Sequence, residues 1–171
     1  MVILTSARIT KSNVQNQSFA NLYNLINNRS NVPDPIDSTG NRKFVHVRLP
    51  RVGRNFPGFP FIVMNRAGPS KGRSTVSLTK SFMSYDTSVT IYTRDGDSDS
   101  QGNANGAEQN DNITDNIVVT LNNSTNRRTL IDQGMANLLF DIETDEDEFE
   151  GKRIFMTEFD IRFEGNLLLT S

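Results

Sequence analysis

The chain has 171 residues, with 18 Lys and Arg against 20 Asp and Glu, one His, no Cys and no Trp. That length suits a single domain able to bury one core, and the missing Cys excludes disulfides, thiolate metal sites and cysteine nucleophiles. A lone His46 excludes two-histidine metal motifs, and the apolar runs are too short for a membrane span or, at Met1-Val2-Ile3-Leu4, for a signal-peptide core, so a soluble cytoplasmic protein is expected.

Only 35% of residues are apolar, while Asn, Ser and Thr fill 50 positions, so burial has to concentrate in the 11 Phe and 3 Tyr. Charge is segregated along the chain. Residues 1–37 sum to +1. Residues 38–85 carry nine basic side chains and no acid, and residues 86–171 sum to −12. Such polarity predicts an acidic and a basic surface that meet on neighbouring copies or on a charged partner. The alternative is that the segments interleave in the fold and the charges mix.

Residues 1–11 form an N-terminal arm. Residues 12–28 read as a helix: Ser12 and Gln15 have capping-box spacing, and Phe19, Leu22, Tyr23 and Ile26 form one stripe. Asn31-Val32-Pro33-Asp34-Pro35 stops it, and 31–42 is a loop. Lys43–Leu49 alternates, with Val45, Val47 and Leu49 predicted to face a core and Phe44, His46 and Arg48 to face away. After Pro50 comes an Arg/Gly/Pro loop, then the apolar strand Phe59–Met64 and a turn at Gly68–Gly72. Residues 74–94 read as a strand pair or one long bent strand. Residues 95–111 are polar and predicted to be an exposed loop. Residues 112–123 look helical through Ile113, Ile117, Val118 and Leu121, with a further turn over 127–133 closed by Gly134. Leu138, Phe140 and Ile142 alternate as a strand, Thr144–Gly151 is read as an acidic connection, and Phe155 to Phe163 alternates most cleanly of all. The expected fold is a single α+β domain: a mixed, mostly antiparallel sheet with two helices packed on one face and long loops.

Four constellations bear on chemistry. Asp97, Asp99, Gly102 and Glu108 match four positions of a calcium loop, but Gln101 and Ala104 break the pattern and a strand precedes it, so a solvated acidic loop is the better reading. The acids at 143–150 lack a separated partner in an evident pocket, although Glu146 with Glu158 is the pair a carboxylate hydrolase would need. His46 with Ser84 or Ser88 and an Asp would make a hydrolytic triad, but the sequence has no nucleophile-elbow motif and a hydrogen-bonded sheet histidine is the ordinary case. Phe44, Phe56, Phe59 and Phe61 among the arginines of 42–73 are what a single-strand nucleic-acid groove requires, yet they coincide with core positions in an acidic chain. No cofactor, metal or enzyme signature emerges.

As an ordered set, the segments between residues 12 and 164 resemble the tail-completion, or tail-terminator, proteins of long-tailed double-stranded DNA viruses. The resemblance is carried by the Asn/Gln-bearing first helix, the Phe59-Pro60-Phe61-Ile62-Val63-Met64 strand and the Val89-Thr90-Ile91-Tyr92-Thr93 strand end. It continues through the 112–123 helix, the turn at Gly134, and Lys152-Arg153-Ile154-Phe155-Met156 leading into a Phe-rich strand. The polar stretch 95–111 and the acidic run 143–150 have no counterpart in that pattern. The resemblance implies a virion protein that assembles as a six-fold homo-oligomeric ring at the head-proximal end of the tail tube, in the neck region. Such a ring ends tube polymerisation and joins the tail to head-tail connector proteins, while DNA passes through its lumen unbound. The nearest alternatives are a neck or head-closure ring component and a tail-tube subunit; a single-strand nucleic-acid module is more remote. Under this reading Arg51, Arg54, Arg66 and Arg73 face carboxylates of an adjacent protein, with Glu146 and Glu148 as counterparts.

Overall fold

The structure, a computed structural model, describes residues 5–9, 13–37, 39–51, 53, 56–66, 68–69, 75–77 and 80–168. Its elements run α1 (Val14–Ile26), β1 (Val45–His46), β2 (Phe61–Met64), β3 (Gly68–Pro69), β4 (Thr75–Ser77), β5 (Lys80–Arg94), α2 (Gly106–Asn122), α3 (Ser124–Asp132), β6 (Met135–Phe149) and β7 (Lys152–Leu168). The main sheet has the order β1-β2-β5-β7-β6, with β3 and β4 also paired to β5. Among the described residues β1 and β2 pair in parallel and the other pairings are antiparallel. This is the α+β class expected from the sequence.

The alternation of β7 organises the core. Thr157, Phe159, Ile161 and Phe163 are buried, while Glu158, Asp160 and Arg162 are exposed. Directly opposite residues of paired strands share a face, so Tyr85, Val89 and Ile91 of β5 join that inner side, as do Ile62 and Met64 of β2. The helices close over it with Phe19, Leu22 and Ile26 of α1, Ile113, Ile117 and Leu121 of α2, and Leu130 of α3. Each of these larger side chains contributes about 1.5–3 kcal/mol by leaving water. On the outer side Phe59, Phe61 and Val63 form a smaller cluster with half-buried Phe56, Tyr92 and Ile154.

The turn expected at Gly68–Gly72 is in part a strand, since Gly68 and Pro69 pair with Asp86 and Tyr85 as β3, while residues 70–72 lie outside the described ones. The structure departs from the sequence reading at five further places. First, α1 starts at Val14 with Asn13 as N-cap, and the capping residue expected at Ser12 lies outside the described residues. Second, β1 spans two residues, with Phe44 and Val45 both buried and Val47 and Leu49 exposed at 38% and 60%. The adjacent pair is buried because both sides of the chain are covered there, and Tyr23 of α1 donates its hydroxyl to the Val45 carbonyl at 3.3 Å. The chain bends directly afterwards, at Val47 and Arg48. Third, the polar stretch ends at 105. Asn105 caps α2 by accepting from the Glu108 amide, and the helix's first inward residues are polar, Gln109 and Asn110, which hid its start from an apolar stripe. Fourth, the turn at 127–133 belongs to a third helix, capped by the Asn123 side chain accepting from Thr125 and Asn126 amides.

Fifth, the acidic run is a strand. β6 continues to Phe149, and the connection is the two-residue turn Glu150-Gly151 with φ of +53° and +73°, both in the left-handed region that tight hairpin turns require. The run pairs because β7 presents a continuous partner along its whole length; polar residues are tolerated since neither face is covered from Asp141 to Glu148.

Gly106 allows α2 to approach the end of β5. A Cβ there would lie 2.7 Å from Arg94 C and Asp95 N, both backbone atoms. Three substitutions should therefore separate in urea unfolding of the chain. Phe159→Ala should cost about 3–5 kcal/mol through an unfilled core site, Gly106→Ala about 1–3 kcal/mol through overpacking, and Ile142→Ser no more than ~0.5 kcal/mol.

Candidate functional site

At the β1 end of the sheet, most of the loop chemistry is structural. The Asp37 carboxylate accepts from the Thr39 hydroxyl and amide and from the Arg42 amide. These donors, the Thr39 hydroxyl foremost, hold it well below the usual carboxylate range. Arg29 donates to the Asp37 and Arg42 carbonyls. The half-buried Arg42 guanidinium pairs with Asp34 at 3.2 Å and donates to the carbonyls of Gly58 and Pro60, tying the loop to the start of β2. Lys43, Arg48, Arg51 and Arg66 remain exposed, and among the described residues none has a carboxylate within 4.0 Å. Arg66 lies 6.0 Å over the Phe19 ring. It borders a groove of about 850 Å³ that also takes in Lys43, Tyr23, Phe44 and Val47.

The other edge of the sheet is acidic. Register fixes which β6 carboxylates share a face: Asp141 stands opposite Asp160 and Glu143 opposite Glu158, on the outer side with Asp145 and Asp147. Glu146 and Glu148 point to the inner side, opposite Phe155 and Arg153. Like charges placed directly across two strands repel. Of the β6 acids, Glu146 has an ion pair, 3.6 Å from Arg153; among the described residues Asp141, Glu143, Asp145, Asp147 and Glu148 have none. A shallow groove of about 420 Å³ on the outer side brings Glu143, Asp145 and Glu158 beside Tyr92. Burial, then the Glu158 charge, pushes the Tyr92 phenol upward.

Of the residues singled out from sequence, Arg66 is exposed beside Lys43 and Val47 on the β1 side, Arg51 is exposed in the loop that follows β1, and Glu146 and Glu148 are on β6 at the opposite edge; Arg54 and Arg73 lie outside the described residues. Sequence reasoning missed Lys43 and Arg48 as free cations and Asp141, Glu143 and Asp145 as free acids. Their charges were visible, but sheet order was needed to show that no described residue of the chain neutralises them.

The chemical alternatives meet specific obstacles. Glu146 and Glu158 lie on opposite faces of the β6–β7 hairpin, so they cannot converge on one substrate. His46 bonds through Nε2 to the Lys43 carbonyl and packs edge-on to Phe61, while the Ser88 hydroxyl is engaged by Asn65. Asp97 pairs with Arg94 at 2.7 Å, and Asp99 accepts from the amides of Gln101 and Asn103, leaving the calcium-like pattern occupied internally. Among the described residues no group of three His, Cys, Asp or Glu could hold a metal. Phe44, Phe59 and Phe61 are buried, so they offer no open ring for a base to stack on.

No protein-family model matches the chain, and comparison with the curated proteins likewise found no match. Among the described residues no helix is long and apolar enough to cross a membrane.

The Asp37 anchor makes a pH dependence. Its lowered value in the folded state means the stabilisation is complete above the ordinary value of 3.8 and is lost as pH falls through the lower folded value. In thermal unfolding, Asp37→Asn should lower stability at neutral pH and flatten its decline in acid below about pH 4; parallel curves for both chains would contradict this.

Proposed function

We propose that the chain is a structural assembly protein of the tail-terminator type. In this reading copies join head to tail into a closed ring at the head-proximal end of a viral tail tube, stop its growth and offer a second face to the neck, with no substrate turned over. The observation that supports it is the separation of unneutralised charge: free cations at the β1 edge and free carboxylates at the β6 edge, the two ends of one sheet. A heterologous contact needs two different complementary surfaces on each copy, and it closes into a ring when the rotation between copies permits. Opposite charges also speed encounter and fix orientation. Carboxylates turned toward the lumen would repel the phosphates of passing DNA. The fold class, an α+β sheet with helices on one face, agrees with that reading.

The proposed contact residues are Arg51 and Arg66 with Lys43 and Arg48 on one side, and Glu146 and Glu148 with Asp141, Glu143 and Asp145 on the other; Arg54 and Arg73, expected from the sequence to join the basic side, lie outside the described residues. Arg51→Glu with Arg66→Glu should shift sedimentation from ring to monomer, as should Glu146→Lys with Glu148→Lys. Mixing the two doubly reversed chains should restore mixed assemblies. Rings that form equally well from either variant alone would remove the proposal; long cylinders from the wild-type chain would point to a tube subunit instead.

A further inference from the structure

We infer that residues Val47–Leu49 of one copy add as a short antiparallel strand to the open edge of β6 in the next copy. This rests on the ring reading and names its contact. Four observations lead to it.

Val47, Arg48 and Leu49 carry a strand alternation that the chain itself does not use. Val47 and Leu49 are exposed large apolar side chains, and Arg48 has no carboxylate partner among the described residues. Their backbone groups are suitably turned. The Phe44 carbonyl accepts from the Ile62 amide, so in a strand the alternation gives Val47 and Leu49 outward amides and carbonyls.

The second surface is β6, the edge strand of the sheet. The Glu146 and Glu148 amides are taken by the side chains of Asp145 and Asp147. These amides therefore face away from β7, and the same alternation turns those of Phe140, Ile142 and Thr144 to the open side. The strand exposes Ile142 at 42% and Leu139 at 65%.

Direction and charge agree. Following the pairings across the sheet, β6 runs antiparallel to β1. Setting Val47 and Leu49 against two of Phe140, Ile142 and Thr144 places Arg48 against Asp141 or Glu143, where side chains of a non-hydrogen-bonded pair lie closest. Two β6 edges brought together would oppose carboxylate to carboxylate, which selects against a two-fold dimer. Pro50 lacks an amide and ends the added strand. The bend at Val47 and Arg48 has to straighten on docking.

The chain has no cysteine, so single cysteines report cleanly. Leu49→Cys and Ile142→Cys chains, mixed and treated with a short bismaleimide, should give a 49–142 cross-linked pair at least tenfold above either chain alone. The double variant should give a ladder ending at one fixed size. Val47→Pro removes one amide without altering charge; it should abolish rings while circular dichroism stays unchanged. Rings by light scattering without the 49–142 product, or rings that survive Val47→Pro, overturn the strand addition and leave the ring reading standing. Monomers without any cross-link overturn both, and 142–142 pairs overturn the polarity of the contact.

Discussion

The long antiparallel ladder between β5 and β7 is the constraint on which the molecule depends. It pairs Lys80 through Arg94 with Ile154 through Leu168 and brings Tyr85, Val89 and Ile91 to the same side as Phe159, Ile161 and Phe163. That apolar side is what α1, α2 and α3 cover. Strand period makes the ladder decisive for everything else: once one side is buried, each neighbour's facing is determined, because a one-residue slip would turn the apolar set to water. The outward direction of Asp141, Glu143, Glu158 and Asp160 is thus a consequence of burying Phe159 and Ile161.

The same ladder separates the charges. With β5 and β7 in the middle, the basic 42–66 segment is held at one edge through β1 and β2, and the acidic run at the other through β6. The cations used internally, Arg29 and Arg42, are engaged in shaping the loop around Asp34 and Asp37. Those left over, Lys43, Arg48, Arg51 and Arg66, have no carboxylate partner among the described residues. Unneutralised carboxylates on an edge strand disfavour pairing with a like strand, and they leave the edge open to a partner of opposite charge. A two-residue β1 at the far edge avoids the aggregation that two long open edges would invite.

Much of this was legible in the sequence where burial imposes a period. The stripe Phe19, Leu22, Tyr23 and Ile26 and the alternation from Phe155 to Phe163 mark elements whose partners lie inside the chain. The reading failed where polarity and structure part company. Gln109 and Asn110 sit inside α2 because they satisfy the carbonyls of Asp97, Asn103 and Phe155, and no apolar count finds such a start. Asp141 to Glu148 is a strand only because β7 lies beside it. Val47 and Leu49 are the opposite case, a strand pattern with no strand partner among the described residues. The charge segregation was visible along the chain, but whether it survives folding depends on sheet order, which local residues do not encode.

In the proposed assembly complementary edges close copies into a ring through a heterologous contact. Native mass spectrometry with electron microscopy of the purified chain across ionic strength tests it most directly. One ring size is expected, with its population falling as salt screens the edge charges. A two-fold dimer, or a monomer indifferent to salt and concentration, would contradict it.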